Sequence, residues 1–198
     1  MKLGEIQRIA VLGSGTMGPG IAQSYAMGGY EVLLYDISKP ALDKARGMLL
    51  ANLDTYVQED LLPVEEADGI YRRITFTNKL SKALDGVQFV QETVAENPGV
   101  KRSVFEQVDA MVSPETIVVS NASSLNPFEL VPESRKANFA AAHWFAPPQI
   151  LPLVEVAKGE KTSKETMETV LTLLRACGKT PVPVSYTHLR AHETLRHL

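Results

Sequence analysis

The feature that most constrains this chain is a glycine-punctuated turn joining an apolar run to a helical pattern near its start. Gln7 to Leu12 is short, rich in Ile and Val and bounded by glycine, the pattern of a buried strand. It runs directly into Gly13-Ser14-Gly15-Thr16-Met17-Gly18. From Thr16 to Gly28 the residues Met17, Ile21, Tyr25 and Ala26 share one helical face, and Gly28-Gly29 ends the pattern. A strand, such a turn and a helix together form a phosphate cradle. Gly13 allows the tight turn, Gly15 lets the backbone approach a pyrophosphate with no Cβ in the way, and Gly18 lets helix and strand pack closely. Thr16 and Met17 complete the turn, where the helix start offers free N–H groups and the positive end of its dipole to the phosphates.

The second strand, Glu31 to Tyr35, ends at Asp36, 18 residues after Gly18. An acid there can accept hydrogen bonds from both hydroxyls of an adenosine ribose, and it repels a 2′-phosphate. No arginine follows closely in Ile37-Ser38-Lys39. The pattern favours NAD over NADP as cofactor. FAD shares the first fingerprint and is the alternative.

Strand and helix patterns alternate along the rest of the chain. Helices are expected from Ser38 to about Glu59, from Pro98 to about Val112 and from Ser163 to Cys177, with a short one near Pro63. Strands are expected at Ile74–Thr77, Val87–Glu92, Thr116–Ser120, Asn138–Trp144, Leu153–Val156 and Thr180–Val184. This order predicts an α/β fold, a doubly wound, mainly parallel sheet of Rossmann type over residues 1–184.

Composition excludes several partner classes. A net charge of −3 gives no basic field for nucleic acid. No stretch reaches the ~18 apolar residues that span a membrane. The run Ile9–Leu12 is too short for a signal peptide and is followed by glycines. The single cysteine, Cys177, allows no internal disulfide and reads as a buried structural thiol; a reducing cytoplasm fits.

Three later segments carry polar chemistry. Glu96-Asn97-Pro98 opens a helix bearing Lys101; Ser120-Asn121-Ala122-Ser123-Ser124-Leu125 follows a strand; His143-Trp144-Phe145-Ala146-Pro147-Pro148 precedes Leu153-Val154-Glu155-Val156. His143 and Glu155 lie 12 residues apart across a proline-rich turn. Two strands joined by that turn could set the carboxylate beside the imidazole, orienting the ring and raising its basicity. Such a base suits removal of an alcohol proton while hydride leaves its carbon.

Taken together, these motifs resemble the 3-hydroxyacyl-CoA dehydrogenase family over residues 6 to about 184. The resemblance implies NAD-dependent oxidation of (S)-3-hydroxyacyl-CoA to 3-oxoacyl-CoA, as in fatty acid β-oxidation or butanoate metabolism. It implies His143 as catalytic base, Glu155 as its partner and Ser123 as the serine that bonds the substrate oxygen, with Ser124 as competitor. Glu96 and Lys101 would lie near the nicotinamide ribose. For Lys101 a solvated helix lysine is the alternative, and for Glu96 an acid favoured by the helix dipole. Ala146 departs from the family, which usually has asparagine in His-x-x-Asn-Pro. That change, and the Pro147-Pro148 pattern, leave a free 3-hydroxy acid open as substrate.

The family continues into a Lys-Asp-x-Pro-Gly-Phe segment and a helical domain that supplies much of a homodimer interface. Residues 185–198 do not match it. From Val184 to Thr194 the chain resembles the translated frame of a transposon-based sequencing adaptor, so a non-native tail is expected. His188 and His192 sit there at i, i+4, but no further ligand set accompanies them, and no metal is expected. On this reading the helical domain is absent, and an NAD-binding fragment without turnover is a further alternative.

Overall fold

The computed structural model describes residues 3–185. Eight strands form one sheet: β1 (Arg8–Leu12), β2 (Glu31–Tyr35), β3 (Ile74–Thr77), β4 (Phe89–Glu92), β5 (Ile117–Ser120), β6 (Phe139–Trp144), β7 (Leu153–Lys158) and β8 (Thr180–Val184). Their order is β3-β2-β1-β4-β5-β6-β7-β8. β1 to β6 are parallel; β7 turns back antiparallel to β6, and β8 pairs parallel to β7. The order reverses between β1 and β4, which opens a crevice at the carboxyl ends of those strands. The expected doubly wound, mainly parallel architecture is therefore the one found.

Among the described residues six α-helices flank the sheet: α1 (Gly18–Met27), α2 (Lys39–Gln58), α3 (Val64–Arg72), α4 (Leu80–Ala83), α5 (Pro98–Met111) and α6 (Lys164–Ala176). Their starts follow from capping chemistry. The side chains of Ser38, Asn97 and Ser163 accept N–H groups from Ala41, Val100 and Thr166, and Pro40 and Pro98 fit the first turns of α2 and α5. α1 starts two residues later than its apolar pattern suggests, because Thr16 and Met17 belong to the turn.

Strand alternation divides the core in two. Val11, Phe89, Val119, Ala142 and Trp144 face α1, α2, α3 and α6, against Ile21, Tyr25, Leu49, Ile70 and Leu173. Leu12, Val90, Val118 and Phe139 face α4 and α5, against Ala83, Phe105 and Val108. Both faces are covered, which is why these strands read as nearly unbroken apolar runs. Cys177 ends α6 as an inert thiol, its pKa pushed by burial to about 12. Among the described residues no helix is long and apolar enough to cross a membrane. Apart from Ser185, the expected tail and its histidine pair lie outside those residues.

Arg135 was not singled out by its sequence context, yet it is buried and pins the loop before β5. Its Nε lies 2.9 Å from Asp109 Oδ1, and its Nη1 donates to the carbonyls of Ser113, Pro114 and Thr116 at 2.8–2.9 Å. Arg135→Met would take the guanidinium from Asp109 and from the Thr116 carbonyl, while Ser113, Pro114 and Asp109 keep donors in the Thr116 N–H, Asn138 and Ser134. Urea unfolding should show a loss of about 1–3 kcal/mol, the cost of leaving buried polar groups unsatisfied; a loss below ~0.5 kcal/mol would contradict this packing role.

Candidate functional site

The turn after β1 meets the glycine requirements one by one. Gly13 has φ +104°, a region closed to most side chains, and a Cβ there would lie 2.6 Å from the carbonyl oxygen of Thr93. A Cβ on Gly18 would strike the carbonyl oxygen of Gly13, so α1 reaches β1 only because none is present. Around Gly15 there is nothing within 4 Å of a Cβ position. The backbone there faces open space rather than protein, as a pyrophosphate cradle must. No side chain caps the start of α1, so its first N–H groups remain available for an anion. These residues fit a bound dinucleotide.

A cleft of about 990 Å³ opens at this turn. Gly13, Gly15, Thr16, Met17, Asp36, Glu96, Lys101 and Ser123 line it together with Asn121; Gly18 packs beneath it. Asp36 also braces the turn. Its Oδ2 accepts the N–H and hydroxyl of Ser14 at 2.8 and 3.0 Å, and its Oδ1 accepts the Ser38 N–H at 2.9 Å.

The far wall is built on a buried ion cluster. Lys101 is not solvated: its side chain is 1% exposed. Its ammonium lies 2.7 Å from Glu92 Oε1, 3.1 Å from Glu96 Oε2 and 3.4 Å from the Val94 carbonyl. Glu92 closes β4 and is 0% exposed. Burial raises its carboxyl above the ordinary value against the pull of Lys101, Ser120 and the Val94 N–H. Burial would raise Glu96 too. The N–H groups of Ser124 and Leu125, with Lys101, outweigh it and hold Glu96 below the usual range. Glu96 is thus a clamp on the loop after β5. It accepts the N–H groups of Ser123, Ser124 and Leu125 at 3.0, 2.9 and 3.2 Å, and the Ser124 hydroxyl at 3.0 Å. The Ser124 hydroxyl is thereby occupied, whereas Ser123 sits at the cleft.

His143 and Glu155 lie one strand beyond the cleft lining. They are direct partners across the antiparallel β6–β7 pair, with His143 Nδ1 3.2 Å from Glu155 Oε2 and side-chain exposures of 20% and 12%. Alternation along β6 puts His143 on the face of Phe139 and Ala141, the α5 side, opposite Trp144. It stands at the carboxyl end of β6, the same edge of the sheet as Gly13, Asp36 and Ser123. The hairpin loop is held from below. The Lys179 ammonium donates to the carbonyls of Pro148 and Leu151 at 2.6 and 3.2 Å, and the Tyr56 hydroxyl to that of Gln149 at 2.8 Å. Asn121 ties the hairpin to the cleft, its Oδ1 accepting the Trp144 N–H at 2.8 Å. Sequence reasoning passed over Glu92 and gave Asn121 no role. Among the described residues no group of three His, Cys, Asp or Glu is placed to hold a metal ion.

The two glycines separate fold from ligand. Gly15→Ala should leave the unfolding free energy within ~0.5 kcal/mol of the parent and weaken NAD at least about tenfold, or ~1.4 kcal/mol, by calorimetry. Gly18→Ala should destabilise by about 1–3 kcal/mol through overpacking. Equal effects of both on stability would contradict the assignment.

The comparisons agree with the geometry. Residues 8–187 match the family model described as 3-hydroxyacyl-CoA dehydrogenase, NAD binding domain. The chain is 36% identical over 180 residues to a 5-formyl-3-hydroxy-2-methylpyridine 4-carboxylate 5-dehydrogenase of Mesorhizobium japonicum, covering 90% of this chain and 57% of that one. It is 35% identical over 178 residues to 3-hydroxyadipyl-CoA dehydrogenase of Escherichia coli, covering 89% and 37%. Among solved structures, (S)-3-hydroxybutyryl-CoA dehydrogenase of Ralstonia eutropha superposes with a TM-score of 0.86 at 30% identity, covering 91% of this chain and 64% of that chain. The chain thus spans roughly a quarter to a little over half the length of the curated relatives it matches. It belongs to the 3-hydroxyacyl-CoA dehydrogenase family and carries that family's NAD-binding domain.

Proposed function

We propose that this domain serves the NAD-dependent oxidation of (S)-3-hydroxyacyl-CoA to 3-oxoacyl-CoA. The observation that carries the reading is the His143–Glu155 pair, held at the carboxyl edge of the sheet on the α5 side. When bound, NAD supplies the acceptor for the hydride that leaves the substrate carbon. His143 takes the hydroxyl proton as the O–H bond breaks and the C=O bond forms. Glu155 fixes the ring through Nδ1, leaving Nε2 as the basic atom, and stabilises the imidazolium that results. Ser123 donates its hydroxyl to the substrate oxygen. The Gly13–Gly18 turn, with Thr16 and Met17, would hold the pyrophosphate and Asp36 the adenosine ribose, and Glu96 and Lys101 would border the nicotinamide ribose; apart from Gly18, which packs beneath the cleft, these residues line it.

A second reading keeps this chemistry and replaces the thioester with a free 3-hydroxy acid. Ala146 favours it, because it stands where the family resemblance expects asparagine. So does the likeness to a dehydrogenase of a pyridine carboxylate.

The test is NADH formation from 3-hydroxybutyryl-CoA and from a panel of free 3-hydroxy acids, repeated with His143→Gln. The variant should lose about 10²–10⁴-fold in kcat, the range for a removed general base, with NAD affinity unchanged. Turnover confined to free acids would select the second reading. A variant as fast as the parent, or NAD binding without turnover on any substrate, would overturn both for this chain.

A further inference from the structure

Glu92 has no place in the chemistry above, yet it touches three segments that meet under the cleft. Its Oε1 receives the Lys101 ammonium from α5 at 2.7 Å and the Val94 N–H at 2.8 Å. Its Oε2 receives the Ser120 hydroxyl from the end of β5 at 2.5 Å. Ser120 Oγ in turn accepts the Ala122 N–H at 3.2 Å. The Lys101 ammonium has three protein oxygens within 3.4 Å, one of them Glu96 Oε2. The lysine therefore works as a buried bridge between two carboxylates. One is locked in the sheet. The other clamps the amides of Ser123 to Leu125.

We propose that Glu92 is a positioning residue: through Lys101 and Glu96 it fixes the loop that carries Ser123. Glu92 is fully buried and does not line the cleft. A dry ion pair suits the task because its geometry is not traded against water, and a half-removed pair leaves an uncompensated charge. The consequence for catalysis rests on the proposed role of Ser123, but the positioning itself does not.

Amide hydrogen exchange by NMR on the whole chain reads the proposal directly. In Glu92→Gln the amides of Ser123, Ser124 and Leu125 should exchange at least about tenfold faster, while those of β1 change less than about twofold. Because Glu92→Gln alone can unfold the chain by stranding Lys101, Glu92→Gln/Lys101→Met removes both charges and should loosen the same three amides. Glu96→Gln, which removes the clamp itself, sets the scale. Loop amides as slow as the parent's in the double variant, or uniform acceleration across the sheet, would overturn the proposal. Loosening after Glu96→Gln but not after Glu92→Gln would also do so. A Ser123→Ala variant with undiminished turnover would instead remove the role of Ser123 and leave the positioning result standing.

Discussion

The fold turns on how closely α1 approaches β1. Gly18 lies against the Gly13 carbonyl with no room for a side chain, and Gly13 takes a backbone conformation that bears none. This contact aims the start of α1 into the crevice where strand order reverses between β1 and β4. A helix start is useful to an anion only if backbone can come near, and the open space at Gly15 provides that. Removing the close contact would pull the helix from the sheet and disperse the N–H groups that face the cleft.

A second constraint links that cradle to the His143–Glu155 pair. Parallel strands deliver their loops to one edge, so the segments after β1, β2, β4, β5 and β6 converge there. Two side-chain ties hold the convergence: Glu96 on the amides after β5, and Asn121 on the Trp144 N–H beside His143. The switch to an antiparallel β7 then matters, since direct cross-strand pairing is what brings Glu155 against His143. A parallel strand after β6 would need a crossover of about a dozen residues or more, and the eight residues between Trp144 and Leu153 are too few to supply it.

Much of this was legible in the chain because local signals agreed. Gly-x-Gly-x-x-Gly between strand and helix, the caps Ser38, Asn97 and Ser163, and the apolar runs each point to one element. The 3₁₀ turns at Pro127–Glu129 and Glu133–Asn138 and the four-residue α4 had no such signal, since elements this short complete too little of a period. Glu92 was hidden as the polar end of an apolar run. The burial of Lys101 was hidden because its partners lie on β4 and the loop after it. Arg135 was hidden for the same reason: what it satisfies is mostly backbone carbonyl, which leaves no mark on residue type.

For the proposed chemistry, one end of the bound dinucleotide must reach from the glycine turn toward Ser123 and His143. NMR titration with NAD, and separately with ADP, measures this most directly. The amides of Gly13 to Gly15 should shift with both ligands, and the Ser123 amide and the His143 ring with NAD alone. A His143 ring that ignores NAD, or answers ADP equally, would contradict the account.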